Sequence, residues 1–165
     1  MSKILKISLL SLLSLLVTIA AVIAINAIGD HQMGLFSGKR PADLGYNNGK
    51  FKPMPSSPNA VSSTIAMEDK HYIAPLKFDG VADVAWKRLN EIVAQQKGAT
   101  VITRNAGYTY AEFKTPLMGY IDDVEFALDA NALVIHVRSA SRLGESDLGL
   151  NRKRVEAIRS ALDKR

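Results

Sequence analysis

Ile121-Asp122-Asp123-Val124-Glu125-Phe126-Ala127-Leu128-Asp129-Ala130-Asn131-Ala132-Leu133-Val134-Ile135-His136-Val137-Arg138-Ser139-Ala140 is the stretch that decides the fold. On either side of Asp129-Ala130-Asn131-Ala132, apolar and polar residues alternate with the two-residue period of a strand covered on one face. The four residues between serve as a hairpin loop. Pairing Leu128 with Leu133 sets Phe126 opposite Ile135 and Val124 opposite Val137, all on the covered face. The same register sets Glu125 opposite His136 and Asp123 opposite Arg138 on the other face. Opposite charges paired in this way contribute about 0.2–1 kcal/mol each, as surface pairs do. A slip of one residue would put apolar groups on both faces, so the alternation argues against it.

Working outward, two further strands are expected at Thr100–Arg104 and Tyr108–Lys114, and an earlier one at Ile73–Phe78. Val81 to Gln96 carries an apolar stripe at helical spacing (Val81, Val84, Ala85, Leu89, Ile92, Val93), with Asp79 as the candidate cap and Gly98 just past the end. A last helix from about Asn151 to Asp163 would bury Val155, Ile158 and Leu162. The order β-α-β-β-β-β-α predicts an α+β domain over residues 71–165, an antiparallel sheet of about five strands with two helices on one face. Residues 30–70 lack apolar periodicity and are punctuated by Gly34, Gly38, Pro41, Gly45, Asn47-Asn48-Gly49, Pro53, Pro55 and Pro58. Leu35, Phe36, Leu44, Tyr46, Phe51 and Met54 give this extended segment enough apolar surface to dock in part on the domain.

Residues 1–29 form a membrane anchor or signal segment. Ile7 to Gly29 carries no charge over 23 residues and follows Lys3 and Lys6; as a helix it would be roughly 35 Å long, enough for a bilayer core of about 30 Å. Cleaved signals have shorter apolar regions, about 7–15 residues. Cuts after Ala24 or Ala27 would match the small-residue pattern poorly, so length favours a retained transmembrane helix. The lysines before it place the domain in the periplasm or elsewhere outside the cytoplasm, although Lys39, Arg40, Lys50 and Lys52 follow the span. If the segment is cleaved, the domain is secreted. Ser8, Ser11, Ser14 and Thr18 recur at helical spacing, either lining a helix contact or simply tolerated there. The chain has no cysteine and a net charge of +5. No basic stripe is interleaved with aromatics, which argues against nucleic acid and leaves anionic lipid headgroups as the natural attraction for a basic chain at a membrane.

Two stretches, Pro55-Ser56-Ser57-Pro58-Asn59-Ala60-Val61-Ser62-Ser63 and the run from Tyr120 to Arg159, resemble the DUF1499 family, whose function is not established. The resemblance extends over roughly Gly34 to the C-terminus. It implies a first motif flanked by two cysteines, where this chain carries Met54 and Ala60. Loss of both together fits a pair that acts jointly in relatives, such as a disulfide, and means that cysteine chemistry is not essential here. Glu145 stands where the family commonly has an aromatic residue.

The connection from the last strand to the last helix concentrates Arg138, Ser139, Arg142, Ser146, Asp147, Asn151 and Arg152, with Arg154 beyond. Arginines, hydroxyls and a helix N-terminus together suit an anion such as carboxylate or phosphate. The plainer reading is that Asn151 caps the helix while Asp122, Asp123, Glu125, Glu145 and Asp147 neutralise the arginines. Asp123, Glu125 and His136 are candidate structural ion-pair residues on a solvated charged face, and the spacing gives no metal motif. Pro55 to Pro58 reads as a rigid loop. Tyr108, Tyr110, Phe113, Tyr120 and Trp86 read as core or sheet surface. Of the histidines, His31 falls in the linker, His71 in a loop and His136 on a strand; no G-x-S-x-G occurs. The expectation is a membrane-anchored, non-catalytic module, without a cofactor, that binds an anionic small molecule, a lipid headgroup or a protein partner. The alternative is a hydrolase-like enzyme using the arginine-rich loop 138–154.

Overall fold

The computed structural model describes residues 3–28 and 36–164, with the first helix's side chains described at 8–21 and 24. That helix, α1 (Lys3–Ile28), precedes β1 (Ala60–Ser62), β2 (Leu76–Lys77), α2 (Ala82–Gln95), β3 (Ala99–Arg104), β4 (Tyr108–Lys114), β5 (Ile121–Asp129), β6 (Val134–Ser141) and α3 (Leu150–Asp163). The strands form one antiparallel sheet in the order β1-β6-β5-β4-β3, with β2 also on β6. The α+β architecture is therefore as expected, with six strands instead of five. The addition is β1, taken from the motif read as a loop; three residues are too few for an alternation to register. Most of the strand expected at Ile73–Phe78 is lost. Only Leu76–Lys77 pairs, because Pro75 has no N–H to give a ladder.

Helices α2 and α3 cover one face of the sheet. Leu89 and Val93 from α2 and Val155 and Ile158 from α3 meet Val124, Phe126, Ile135 and Val137, all of them fully buried. The stripe of α2 is rotated from the expected one. Trp86 and Asn90 face inward while Val81 and Val84 stay exposed. Hydrogen bonds fix that rotation: Trp86 Nε1 donates to the Asn105 carbonyl at 3.2 Å, and Thr109 Oγ1 donates to Asn90 Oδ1 at 2.7 Å. The cap residue of α2 is Val81, with no side-chain cap bond, so the Asp79 cap does not form.

The hairpin register differs from the expected one by two residues. Leu128 lies opposite Ile135, Phe126 opposite Val137 and Glu125 opposite Arg138, while Asp123 faces Ala140. The Asp123–Arg138 and Glu125–His136 ladder pairs are thus wrong. A two-residue shift keeps every side chain on its own face, so hydrophobic alternation cannot detect it. The loop decides instead. Asp129 Oδ1 accepts the Asn131 and Ala132 N–H groups at 3.1 and 2.9 Å, and Leu133 turns the chain at a φ of 53°. The loop therefore runs over residues 130–133, one position later than expected.

The other face of the sheet is not solvated, which corrects the expected charged surface. Glu112, Asp123, Glu125 and Arg138 are all buried there. The segment from Phe36 to Pro55 lies over them: Phe51 is buried, Phe36 stacks on Tyr120, and Tyr46 stacks on His136. Asn47 and Lys50 exchange backbone hydrogen bonds around Asn48-Gly49, both at positive φ, a tight turn that folds this segment back. The rest of the expected extended segment is described only from Phe36, and His31 lies outside the described residues.

Helix α1 occupies the stretch expected to span a membrane. Among the described residues no helix is long and apolar enough to cross one, and the expected span runs beyond the side chains described there. The hydroxyls of Ser11 and Thr18 donate to the carbonyls of Ser8 and Ser14, each at 2.9 Å.

Two glycines separate cost by contact from cost by conformation. Gly98 has a φ of +79° and a Cβ there would sit 2.4 Å from the Lys114 carbonyl oxygen, whereas Gly80 has a φ of +84° in open space. Gly80→Ala should cost roughly 1–2 kcal/mol from its backbone alone. Gly98→Ala should cost clearly more, because β4 must also move. Urea unfolding of the two variants measures the difference, and equal costs would contradict the close approach at Gly98.

Candidate functional site

Across the ladder between β4 and β5, Glu112 lies directly opposite Asp123. Two carboxylates in that position repel, and the Arg142 side chain, just beyond β6, resolves the conflict. Arg142 Nε donates to Asp123 Oδ1 and Oδ2 at 3.1 and 3.0 Å. Its Nη2 donates to Asp123 Oδ1 at 2.7 Å and also to Glu112 Oε1. The Tyr110 hydroxyl accepts from Arg142 Nη2 at 3.0 Å and donates to Asp123 Oδ1 at 2.5 Å. One turn of the alternation away, Arg138 Nη1 donates to Glu125 Oε2 at 3.2 Å and the Tyr108 hydroxyl donates to Glu125 Oε1 at 2.8 Å.

The extended segment completes this network from above. Arg40 Nε donates to Glu112 Oε1 at 2.5 Å, and the Gly45 N–H donates to Glu125 Oε1 at 2.8 Å. Burial alone would raise the Glu112 pKa, but the hydrogen bonds from Arg40 and Arg142 outweigh it and hold the group below its ordinary range. For Glu125 burial wins over Arg138, Tyr108 and Gly45, and its pKa is raised. Burial likewise pushes up both Tyr108 and Tyr110, so they are donors at neutral pH. Burial opposes the Arg142 charge, yet its bonds to Asp123 and Glu112 raise its pKa and keep it a cation.

Three buried polar atoms of this network have no partner: Glu112 Oε2, Arg138 Nε and Arg142 Nη1. Arg138 and Arg142, but not Glu112, line a cavity of about 360 Å³ together with Asp123, Lys52, Pro53, Met54 and Pro55 among others. Met54 and Ala140 share its wall, and Ala60 pairs with Ala140 across β1 and β6.

The other expected site residues lie elsewhere. Asn151 is a buried bracket inside α3 and not its cap. Its Nδ2 donates to the Asn59 carbonyl at 2.9 Å and to Ser141 Oγ at 3.0 Å, while its Oδ1 accepts from Ser139 Oγ at 2.5 Å and Arg154 Nη1 at 2.7 Å. Arg154 Nη2 also donates to Asp122 Oδ2 at 2.5 Å, on the helix side of the sheet. Asp147 closes the N-terminus of α3, accepting from the Gly149 N–H at 2.9 Å and the Asn151 N–H at 2.8 Å. Burial would raise the Asp147 pKa, but those backbone bonds hold it low, as a carboxylate at a helix N-terminus. Arg152 donates to the carbonyls of Lys70 and Tyr72, and Ser146 is exposed. Of the expected anion-site residues, the structure therefore brings Arg138 and Arg142 to one cavity and Ser146 and Asp147 to another, which holds no arginine.

A serine and a histidine do meet at Ser63 Oγ and His136 Nδ1, 3.2 Å apart. That hydroxyl already accepts from the Val137 N–H at 2.9 Å, and burial lowers the His136 pKa. His71 lies 2.8 Å from Asp69 Oδ1 through Nδ1 and 2.9 Å from the Ser57 carbonyl through Nε2, tying two loops together. Among the described residues no group of three or more His, Asp or Glu is placed to hold a metal ion.

The sequence reading did not single out Glu112, Arg40, Tyr108 or Tyr110 for the site. A signal was present in Tyr108-Thr109-Tyr110-Ala111-Glu112, where the polar groups alternate onto the face away from the core. A family model described as a protein of unknown function, DUF1499, matches residues 50–162. No curated protein matches the chain. No solved structure matches it.

Arg142→Met should strand Glu112 and Asp123 and cost about 3–5 kcal/mol, measured by urea unfolding. A loss under 1 kcal/mol would show that the two carboxylates are relieved by something else. The pH dependence separates the two glutamates. Glu112, held low, contributes stability that is present above its ordinary value of 4.5 and is lost as pH falls through its lowered value. Glu125, held high, loses its proton in the unfolded chain first, so stability falls as pH rises from 4.5 through its raised value. Glu125→Gln should abolish that fall while leaving the acid-side loss in place, and an unchanged profile would refute the assignment.

Proposed function

The chain belongs to the DUF1499 family, and from that premise we propose a membrane-anchored, non-catalytic module that holds a small anionic group in the cavity over Arg138 and Arg142. The observation that carries this reading is the cavity itself. Its volume of about 360 Å³ lies at the low end for small-molecule sites. Its prolines give it fixed walls, and Lys52, paired with Asp43 at 2.7 Å, stands at its edge. Arg138 Nε and Arg142 Nη1 are buried without an acceptor, a deficit of about 1–3 kcal/mol per group; a carboxylate or phosphate oxygen that reached them through a small side-chain shift would remove it. The carboxylates already paired with both arginines limit the charge the cavity offers, which favours a small group held by directed hydrogen bonds. Binding without catalysis is favoured because the Ser63 hydroxyl is committed to the Val137 backbone, and Asp129, the acid that acts on its histidine, gives Oδ1 to the Asn131 and Ala132 N–H groups.

The membrane part of the reading is supported by the uncharged run of Ile7 to Gly29 and by α1. Leu9, Leu10, Leu12, Leu13, Leu15 and Leu16 are all more than half exposed along it. Such a surface suits burial in lipid, and the internally bonded hydroxyls of Ser11 and Thr18 fit that setting, although the described residues do not by themselves make a span. Lys3 and Lys6 on the cytoplasmic side would put the domain outside the cytoplasm.

Thermal melting with inorganic phosphate, glycerol phosphate and citrate tests the site. A ligand at a hundred times its Kd stabilises the folded state by about 2.7 kcal/mol, so the midpoint should climb with concentration. Lys52→Glu should blunt that climb. If no anion moves the midpoint, the cavity is not an anion site. Flotation of the full chain with vesicles after an alkaline carbonate wash tests the anchor separately, and failure to float would discard it.

A further inference from the structure

We propose that the end of the domain carrying Leu117, Met118, Leu143, Leu148 and Leu150 rests on the bilayer surface, with membrane lipid as its occupant. This inference depends on the anchoring proposed above. Outside α1, nine large apolar side chains among the described residues are exposed, and these five sit in two neighbouring loops. The turn between Thr115 and Tyr120 holds Leu117 and Met118; the connection from β6 to α3 holds Leu143 and Leu148, and Leu150 opens α3. A cavity of about 240 Å³ joins the loops into one surface; Leu143, Leu148 and Leu150 line it with Thr115 and Tyr120, and Asp122, Ser141, Ser146 and Asp147 form its polar floor.

Three observations point to lipid as what covers it. The first is where the tether enters. Phe36 stacks on Tyr120 with ring centroids 5.1 Å apart, and only residues 29–35 separate it from the end of α1. Eight such steps reach at most about 28 Å, so this end of the domain cannot leave the neighbourhood of an anchored helix.

The second is the rim. Lys97 and Lys114 line an adjoining cavity that shares Thr115 and Leu150 with the apolar surface, and Lys39 is exposed three residues after Phe36. Leucine tips flanked by Lys97, Lys114 and Lys39 match an anionic bilayer, headgroups at the lysines and acyl chains at the tips, although Glu145 and Asp147 between Leu143 and Leu148 reduce the positive charge there. A second copy fits less well, since a two-fold contact through this surface would bring Lys97 and Lys114 toward their own counterparts.

The third is Leu148. It is 87% exposed and holds a φ of 53°. A leucine is costly in that conformation, where asparagine or glycine would be easy. Neither packing nor backbone preference within the domain accounts for an apolar side chain there.

The chain has no cysteine, so single reporters can be placed in the full-length protein. Leu148→Cys and Val84→Cys would each carry an environment-sensitive fluorophore, in vesicles of phosphatidylcholine and phosphatidylglycerol. Val84 is exposed near Phe78 and Leu162, at the end of the sheet where the Phe78 N–H meets the Leu133 carbonyl. The length of β5, about 26 Å, separates that end from Leu148. Brominated lipids should cause a loss of emission at position 148 and none at 84. Equal loss at both, or none at 148, overturns the proposal while leaving the anchor standing if the labelled chain still floats. Shielding at 148 without lipid quenching, accompanied by cross-linking between copies, also overturns it and assigns the surface to a second copy. A chain that does not float defeats both readings together.

Discussion

The fold rests on one guanidinium placed between two carboxylates. β4 and β5 bring Glu112 and Asp123 face to face, and Arg142 spans both. Much follows from that contact. The arginine comes from just beyond β6, so the third strand is bound to the first two by charge as well as by its ladder. Tyr110 is caught in the same set of bonds. A buried ionic group of this kind is weak as a source of net stability, because desolvation consumes much of the attraction. Its effect is on uniqueness. A face dense in carboxylates tolerates only arrangements that supply cations and exclude water, and the extended segment does both through Arg40 and Gly45.

The sequence was most legible where a pattern repeats over many residues. The α+β class, the long strands and both covering helices follow from periodicity and from the apolar faces they share. Periodicity says which face a residue takes but not which partner it meets. Val124, Phe126 and Val137 were assigned to the correct face, yet their partners shift by two because Leu133 adopts a turn conformation its identity does not announce. Short elements were illegible for a related reason, since β1 and β2 owe their existence to β6. The charged face was misread because Glu125 and Arg138 look like surface residues until the chain at Gly45 is known to lie over them.

The loop from Ser139 to Arg154 shows why residue type alone overestimates a site. Together with Arg138 just before it, it holds the four arginines weighed as anion ligands, but strand β6 and helix α3 deliver them to different sides of the sheet. Arg138 and Arg142 go to the side of the extended segment, and Arg154 goes to the side of the helices. The N-terminus of α3, attractive to any anion, is satisfied by Asp147 from the same chain. Asn151 binds Asn59, Ser139 and Ser141 at once, so the Pro55–Ser63 motif and this loop form a single joint between sheet and helix. The joint accounts for most of the polar residues the two stretches contain.

The shared edge of β6 has a consequence for how the chain meets other proteins. Two short strands, β1 and β2, occupy that edge in tandem. At the opposite side β3 is interrupted by a register shift between Val101 and Thr103. A long, flat outer strand is the usual template on which another polypeptide adds itself to a sheet, and irregular or occupied edges deny it. Among the described residues neither margin offers a long unbroken row of free backbone groups. A protein that recognises this domain is steered toward side-chain contact and away from extending its sheet, and the same margins guard the chain against edge-to-edge pairing with its own copies.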